Sequence, residues 1–360
     1  MILRFAPIAL LALLVSGTGA LAGQGDPPRV PRAPRTPSVR PAPPVHAHVS
    51  EATEDDEQES TDTTLSVPAR SRFVLENFKG QVVVTGWDRN SVRVRAEHQP
   101  RTRIQVDVRP ATVTLRSTTR IRLPDFGDSR HARVQDVDIP SEVDYRLTVP
   151  RWMSLGLSGV DSDISVEGME ADVSAEVVNG EVLVRGGRGS IRVGSINGGV
   201  EVVGASGSVE ASSVNDGATL RDVTGRVRVE SVNGDVKMVG IVSDAVEAST
   251  VSGDLRYEGA LRAGGTYRFE SHSGDLTVVL PERPDVTVSV DTYSGEFASS
   301  FPARSKSTFT SARGRGKEFE FTLGDGRADL SLQSFSGLIR LARAGEPAGR
   351  ARTVYIRRDK

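Results

Sequence analysis

The chain has 360 residues and nearly balanced charge, 45 Lys+Arg against 47 Asp+Glu for a formal −2, which excludes a protein whose main partner is bulk nucleic acid. It has no cysteine, which excludes disulfides, thiolate metal ligands, cysteine nucleophiles and thioether lipid anchors. Its 36 glycines and 5% aromatic residues point to many tight turns around an aliphatic core.

Residues 1–22 read as a secretory signal peptide. Arg4 supplies the positive start, Phe5 to Val15 form an apolar run broken by Pro7, and Ala20-Leu21-Ala22 fits the small-x-small cleavage pattern. The run of about eleven residues falls short of the roughly 20 that span a bilayer. The protein is therefore expected to be exported, to the periplasm or the extracellular face of a bacterial cell, with no transmembrane anchor after cleavage.

Residues 23–69 are expected to be a disordered linker. Eight prolines between Pro27 and Pro44 alternate with Arg29, Arg32, Arg35 and Arg40, and an acidic block from Glu51 to Asp62 follows. Proline fixes φ and removes amide donors, and the acidic block has too few apolar residues to offset chain entropy. From 70 to 150, bursts such as Val92-Arg93-Val94-Arg95 and Tyr145-Arg146-Leu147-Thr148-Val149 alternate apolar and polar residues. That period of two predicts a small N-terminal region of β-strands with one buried face.

A repeat fills residues 151–343. Val178-Asn179-Gly180 returns as Ile196-Asn197-Gly198, Val214-Asn215-Asp216 and Val232-Asn233-Gly234, then with serine before Gly253, Gly274, Gly295 and Gly337. Anchors fall at 180, 198, 216, 234, 253, 274, 295 and 337, so the steps are 18, 18, 18, 19, 21, 21 and 42. The last step is twice 21, which predicts a drifted turn at Gly316. Between anchors, Val182, Val200, Ala218, Val236, Leu255, Leu276 and Phe297 share one phase. Ile191, Val209, Val227, Val246, Tyr267, Val288 and Phe309 share another, about half a coil away. The expected fold is all-β: a two-sheet β-solenoid of about nine to ten coils of 18–21 residues, each burying its apolar face only by stacking on its neighbours.

Asn179, Gly180, Asn197, Gly198, Asn215, Asn233, Gly234, Gly253, Gly274, Gly295 and Gly337 form the expected structural turn ladder. Their residue types suit positive φ and hydrogen bonding along the stack. Ser195, Ser213, Ser231, Thr250, Ser271, Thr292 and Ser334 make a parallel hydroxyl column.

Asn77-Phe78-Lys79-Gly80-Gln81-Val82-Val83-Val84-Thr85-Gly86-Trp87-Asp88, Tyr145 to Pro150, and the repeated Val-Asn-Gly turns resemble the bacterial DUF4097 family of β-strand-repeat proteins. The resemblance covers about residues 70–343. It implies an envelope or surface location and adhesin-like binding, and its motifs are structural turns rather than catalytic signatures.

No catalytic, cofactor or metal site is expected. Glu181, Asp235, Asp254, Asp275 and Glu296 follow turn glycines but are interrupted at Gly199, and read as solvated turn carboxylates. His98, His131 and His272 are the only histidines of the folded part, and His272 is expected to be a partly buried stacking residue. The stretch 123–135, with Asp125, Phe126, Asp128, Arg130, His131 and Arg133, breaks the strand rhythm and is the candidate partner-contact loop. Aromatic residues from Tyr257 to Phe335 read as a widening core, and residues 344–360 as a basic tail. The expected role is non-catalytic binding or scaffolding of an envelope polymer or protein through a solenoid face. The alternatives are an envelope polysaccharide hydrolase or lyase, which needs carboxylates converging on one face, and a periplasmic sensor or regulatory partner.

Overall fold

The computed structural model describes residues 58–125, 133–302, 305–310 and 317–345. The expected signal peptide, the Pro-rich segment, Phe126, Asp128, Arg130 and His131, Gly316 and most of the basic tail lie outside the described residues.

All elements among the described residues are strands. The N-terminal part holds β1 (Glu59–Ser66), β2 (Arg72–Lys79), β3 (Val82–Trp87), β4 (Ser91–His98), β5 (Thr102–Arg109), β6 (Thr112–Asp125), β7 (Arg133–Pro140) and β8 (Val143–Pro150). The middle follows with β9 (Ser154–Asp161), β10 (Ile164–Glu167), β11 (Val173–Asn179), β12 (Val182–Arg185), β13 (Ser190–Asn197), β14 (Val200–Val203), β15 (Ser206–Ser213), β16 (Ala218–Arg221) and β17 (Thr224–Ser231). The long β18 (Val236–Ser252) and β19 (Leu255–Ser273) come next, then β20 (Leu276–Leu280), β21 (Val286–Thr292) and β22 (Glu296–Ser299). The chain continues through β23 (Ser305–Thr310), β24 (Lys317–Leu323), β25 (Ala328–Ser336) and β26 (Leu338–Arg343).

Each coil places one strand in a first sheet and the next in a second. In the first sheet β2, β9, β11, β13, β15 and β17 pair in parallel and continue into the second half of β18 and of β19. In the second, β3, β10, β12, β14 and β16 continue into the first halves of β18 and β19, then β20. The register follows the sequence period: Val182 lies beside Val200, Val200 beside Ala218, and Ala218 beside Val236. These inward columns are fully buried and merge into one core, with each buried valine or leucine worth about 1.5–3 kcal/mol. Burial pushes the hydroxyl of Tyr145, which closes the N-terminal end of that core, up to about 12.

The described chain forms ten coils, counting β2–β3, β9–β10, four built from β11 to β18, two from β18 to β20, and two at the C-terminal end. Their order there differs from the sequence. β25 pairs in parallel with β19 on one side and β21 on the other, and β26 lies between β20 and β22. The last coil in the chain is thus inserted before the penultimate one, and the column runs Leu276, Ile339, Phe297. The step of 42 is therefore an antiparallel detour rather than a drifted coil. β24 pairs antiparallel with β21 and β23 with β24, which sets Phe309 opposite Glu318 and not in the column of Val288. Leu330, Leu332, Ile339 and Leu341 are fully buried and suit an interior coil, whereas the charge-bearing β24 covers the edge that β21 would expose.

The N-terminal end is closed in the same way. β6 lies outside β2, with β5 antiparallel beyond it, while β8, β4 and β1 lie in turn outside β3. Residues 59–66, expected to belong to the disordered linker, form β1 instead. Thr61, Thr63 and Thr64 are strand formers, and Asp62 lies against Arg93 at 2.6 Å and Arg95 at 3.1 Å. The hydrogen bond from Arg93, with Arg95 in support, holds the Asp62 carboxyl at about 2, from an ordinary 3.8. Acidic residues that oppose burial thereby favour an edge strand beside arginines. The described flanks of the 123–135 stretch are the paired ends of β6 and β7, with Asp125 opposite Arg133.

Candidate functional site

The expected turn ladder lies on one line, where the chain passes from the first sheet to the second. Asn197 Nδ2 donates to Asn179 Oδ1 at 2.7 Å and Asn233 Nδ2 to Asn215 Oδ1 at 3.0 Å. Asn215 bonds Asn197 between them, and Asn179 bonds Asp161. Beneath this exposed ladder runs the buried hydroxyl column. Ser195, Ser213, Ser231 and Thr250 donate to the backbone oxygens of Gly180, Gly198, Asp216 and Gly234 at 2.9–3.3 Å.

The glycines act differently from expectation. Gly180, Gly253, Gly274 and Gly337 have positive φ, but Gly198, Gly234 and Gly295 do not, and no asparagine does. What the glycines share is contact. A Cβ on Gly198 would stand 2.0 Å from Gly180 O, and one on Gly234 would stand 2.1 Å from Asp216 O. At these glycines the turn rests directly on the backbone of the neighbouring turn, leaving no room for a Cβ, whereas the Asp216 anchor carries a side chain.

The acidic turn residues are also structural. Asp163 accepts the amide of Glu181 at 2.9 Å, and Asp235, Asp254 and Asp275 accept those of Asp254, Asp275 and Leu338 at 2.8–2.9 Å. Each carboxylate caps the next coil, an arrangement that spreads the acids along the stack. Where the column reads Gly199 and Gly217, an open depression of about 650 Å³ forms, bordered by Glu181, Glu201, Asp235 and Lys237. Among the described residues no group of three or more acidic or histidine side chains could hold a metal ion.

The residue before each Asn or Ser of the ladder points outward. The stack registers Phe78, Val160, Val178, Ile196, Val214, Val232, Val251, His272, Phe335 and Tyr293 in one column. Most are exposed, Phe335 by 47%, and Val214 and Val232 are half-buried. His272 stacks on Phe335 at 4.7 Å and 12°, and Phe335 on Tyr293 at 4.8 Å and 6°. His272 is exposed rather than partly buried, and its stacking is as expected. Of the two described histidines His98 is the buried one, its ring bonded to Thr61 and to Gln99 O. The remaining C-terminal aromatics of the described core, Tyr257, Tyr267, Phe269, Phe297, Phe301, Phe319 and Phe321, are buried.

In the sequence these ridge residues mark only the turns. Their exposure follows from alternation: with Ile191, Val193 and Ser195 inward, Ile196 points out. Acids flank the ridge on both sides. Glu76, Glu176, Glu230, Glu270 and Asp291 stand two residues before it, and Asp163, Glu181, Asp235, Asp254, Asp275 and Glu296 three after. Most of these acids have no basic neighbour in the same column, but Arg116 pairs with Glu76 at 3.2 Å and Arg228 with Glu230 at 2.6 Å.

The family model Toastrack DUF4097 matches residues 44–341, and the chain belongs to that family. No curated protein matches. Similar solved structures include a "putative adhesin" from Parabacteroides merdae, with 8% identity and TM-score 0.45, covering 80% of this chain and 97% of that one. Another from Bacteroides fragilis has 13% identity and TM-score 0.38, covering 79% and 97%. A third, from Parabacteroides distasonis, has 9% identity and TM-score 0.40, covering 79% and 98%. Among the described residues no helix is long and apolar enough to cross a membrane.

Proposed function

We propose that the protein is an exported, non-catalytic binding or scaffolding component of the bacterial envelope, acting at the cell surface or in the periplasm through its turn-line ridge. The carrying observation is the ridge, an exposed apolar column from Phe78 to Tyr293 flanked by carboxylates. Contiguous exposed apolar surface rimmed by polar groups marks interaction sites. Its chemistry favours a protein partner that offers apolar and basic side chains together. Anionic polymers meet like charge there. Sugars find few open ring faces, because His272, Phe335 and Tyr293 cover one another.

The glycan-cleaving alternative needs converging carboxylates, whereas Asp163, Asp235, Asp254 and Asp275 each hold a backbone amide. Retention of purified protein on fractionated envelope, before and after protease treatment, tests the reading. Saturable retention that protease reduces at least about tenfold and added salt weakens is expected. Release of sugar fragments, or retention only on protease-treated polymer, contradicts it.

A further inference from the structure

A second surface lies on the opposite turn line, where the chain returns from the second sheet to the first. The chain has two tryptophans, and both are held by the loop between β3 and β4. Trp87 Nε1 donates to Ser91 O at 2.7 Å, and Trp152 Nε1 donates to Asn90 Oδ1 at 3.1 Å. Arg151 fastens the same loop, its Nε donating to Asp88 Oδ1 at 3.0 Å and its amide to Trp87 O at 3.0 Å. Arg89 lies over the Trp87 ring at 5.2 Å.

Trp152 stays 36% exposed and lines an open depression of about 440 Å³ with Ala69, Arg70, Ser71, Asn90 and Ser154. That is within the range of small-ligand sites. Arg70 sits at φ +65°, a left-handed conformation that costs a non-glycine residue energy and collects at functional sites. Its guanidinium has no ion pair among the described residues, and the Asn90 carboxamide, accepting from Trp152, keeps its own N–H donors. Among the described residues no other aromatic ring packs against the exposed indole.

From this geometry we infer a subsite for an acidic sugar residue. The Trp152 ring offers an apolar platform for the C–H face of a pyranose. Asn90 and Ser154 supply hydrogen bonds to hydroxyls, and Arg70 pairs with the carboxylate. The site is independent of the ridge, which carries no tryptophan. It gives the protein one contact for an acidic glycan and another for a protein.

Calorimetric titration tests it, with tri-galacturonate, a hyaluronan hexasaccharide and sialyllactose as acidic probes. Maltotriose and chitotriose are the neutral controls, and tri-glutamate is the anion without a sugar ring. At least one acidic oligosaccharide is expected to bind saturably, with a change in tryptophan emission. Affinity should fall at least about tenfold in Trp152→Ala and in Arg70→Gly, the latter a change that the backbone accommodates. Ridge substitutions should leave it unchanged. No binding by any acidic sugar, equal binding of the neutral sugars or tri-glutamate, or undiminished binding by Arg70→Gly overturns the inference.

Discussion

Asn197 donates its Nδ2–H to Oδ1 of Asn179 at 2.7 Å, and the same bond, carried on by Asn215 and Asn233, runs along four successive turns in one direction. Asn179, Asn197 and Asn215 each donate to one neighbour and accept from the other, and Asn233 donates to Asn215. Asn197→Ala removes two such bonds at an exposed site and should destabilise the protein by about 1 kcal/mol in urea unfolding. Asn197→Asp should cost more, because it sets a carboxylate against Asn179 Oδ1. Equal stability of Asn197→Asp and the parent would show that the ladder carries no free energy.

Gly234 separates contact from dihedral strain. Its φ is not in the left-handed region, yet a Cβ would stand 2.1 Å from Asp216 C and O, both backbone atoms that cannot move aside. Gly234→Ala should cost more than about 2 kcal/mol. A Cβ on Gly199 meets only Gly217 O at 3.8 Å, so Gly199→Ala should stay within about 0.5 kcal/mol. Thermal unfolding of the two variants side by side decides the matter.

The inserted coil makes a covalent prediction, aided by the absence of native cysteine. Arg268 and Ser331 are register partners, and so are Ser289 and Ser331. Arg268→Cys with Ser331→Cys should form a disulfide on oxidation, because adjacent strands lie about 4.8 Å apart. Arg268→Cys with Ser289→Cys, which coils stacked in sequence order would join, is two strands apart and should stay reduced.

The Asp62 contact with Arg93 and Arg95 depends on pH with a definite sign. Its carboxyl sits at about 2 in the fold, below the ordinary 3.8. The stabilisation is therefore complete above the unfolded value and lost as pH falls from about 4 towards 2. β1 amides, normalised for intrinsic exchange, should lose protection over that window. Asp62→Asn should show reduced protection at neutral pH and converge with the parent near pH 2.

Periodicity made the coils legible, because Val182, Val200 and Ala218 keep one phase only if they stack. It could not reveal the coil order, since steps of 21 and 42 are equally consistent with a missing coil and with a detour through β23 and β24. The glycine anchors were visible but not their reason, because one letter serves both positive φ and close approach. The ridge was visible as Val178 and Ile196 but hidden as a site, because apolar letters suggest burial until the inward phase is fixed by Ser195. Trp152 carried no sequence signal, since Asn90 and Arg70 reach it through the meeting of β8 and β9 with the β3–β4 loop.

The central claim is that the ridge binds a partner. It is tested most directly by comparing the parent with Val178→Ser, Ile196→Ser and Val251→Ser combined, all exposed residues, for saturable retention on envelope fractions. The triple variant should keep its thermal stability to within a few degrees, with retention reduced at least about tenfold. A correctly folded triple variant retained as well as the parent would contradict it.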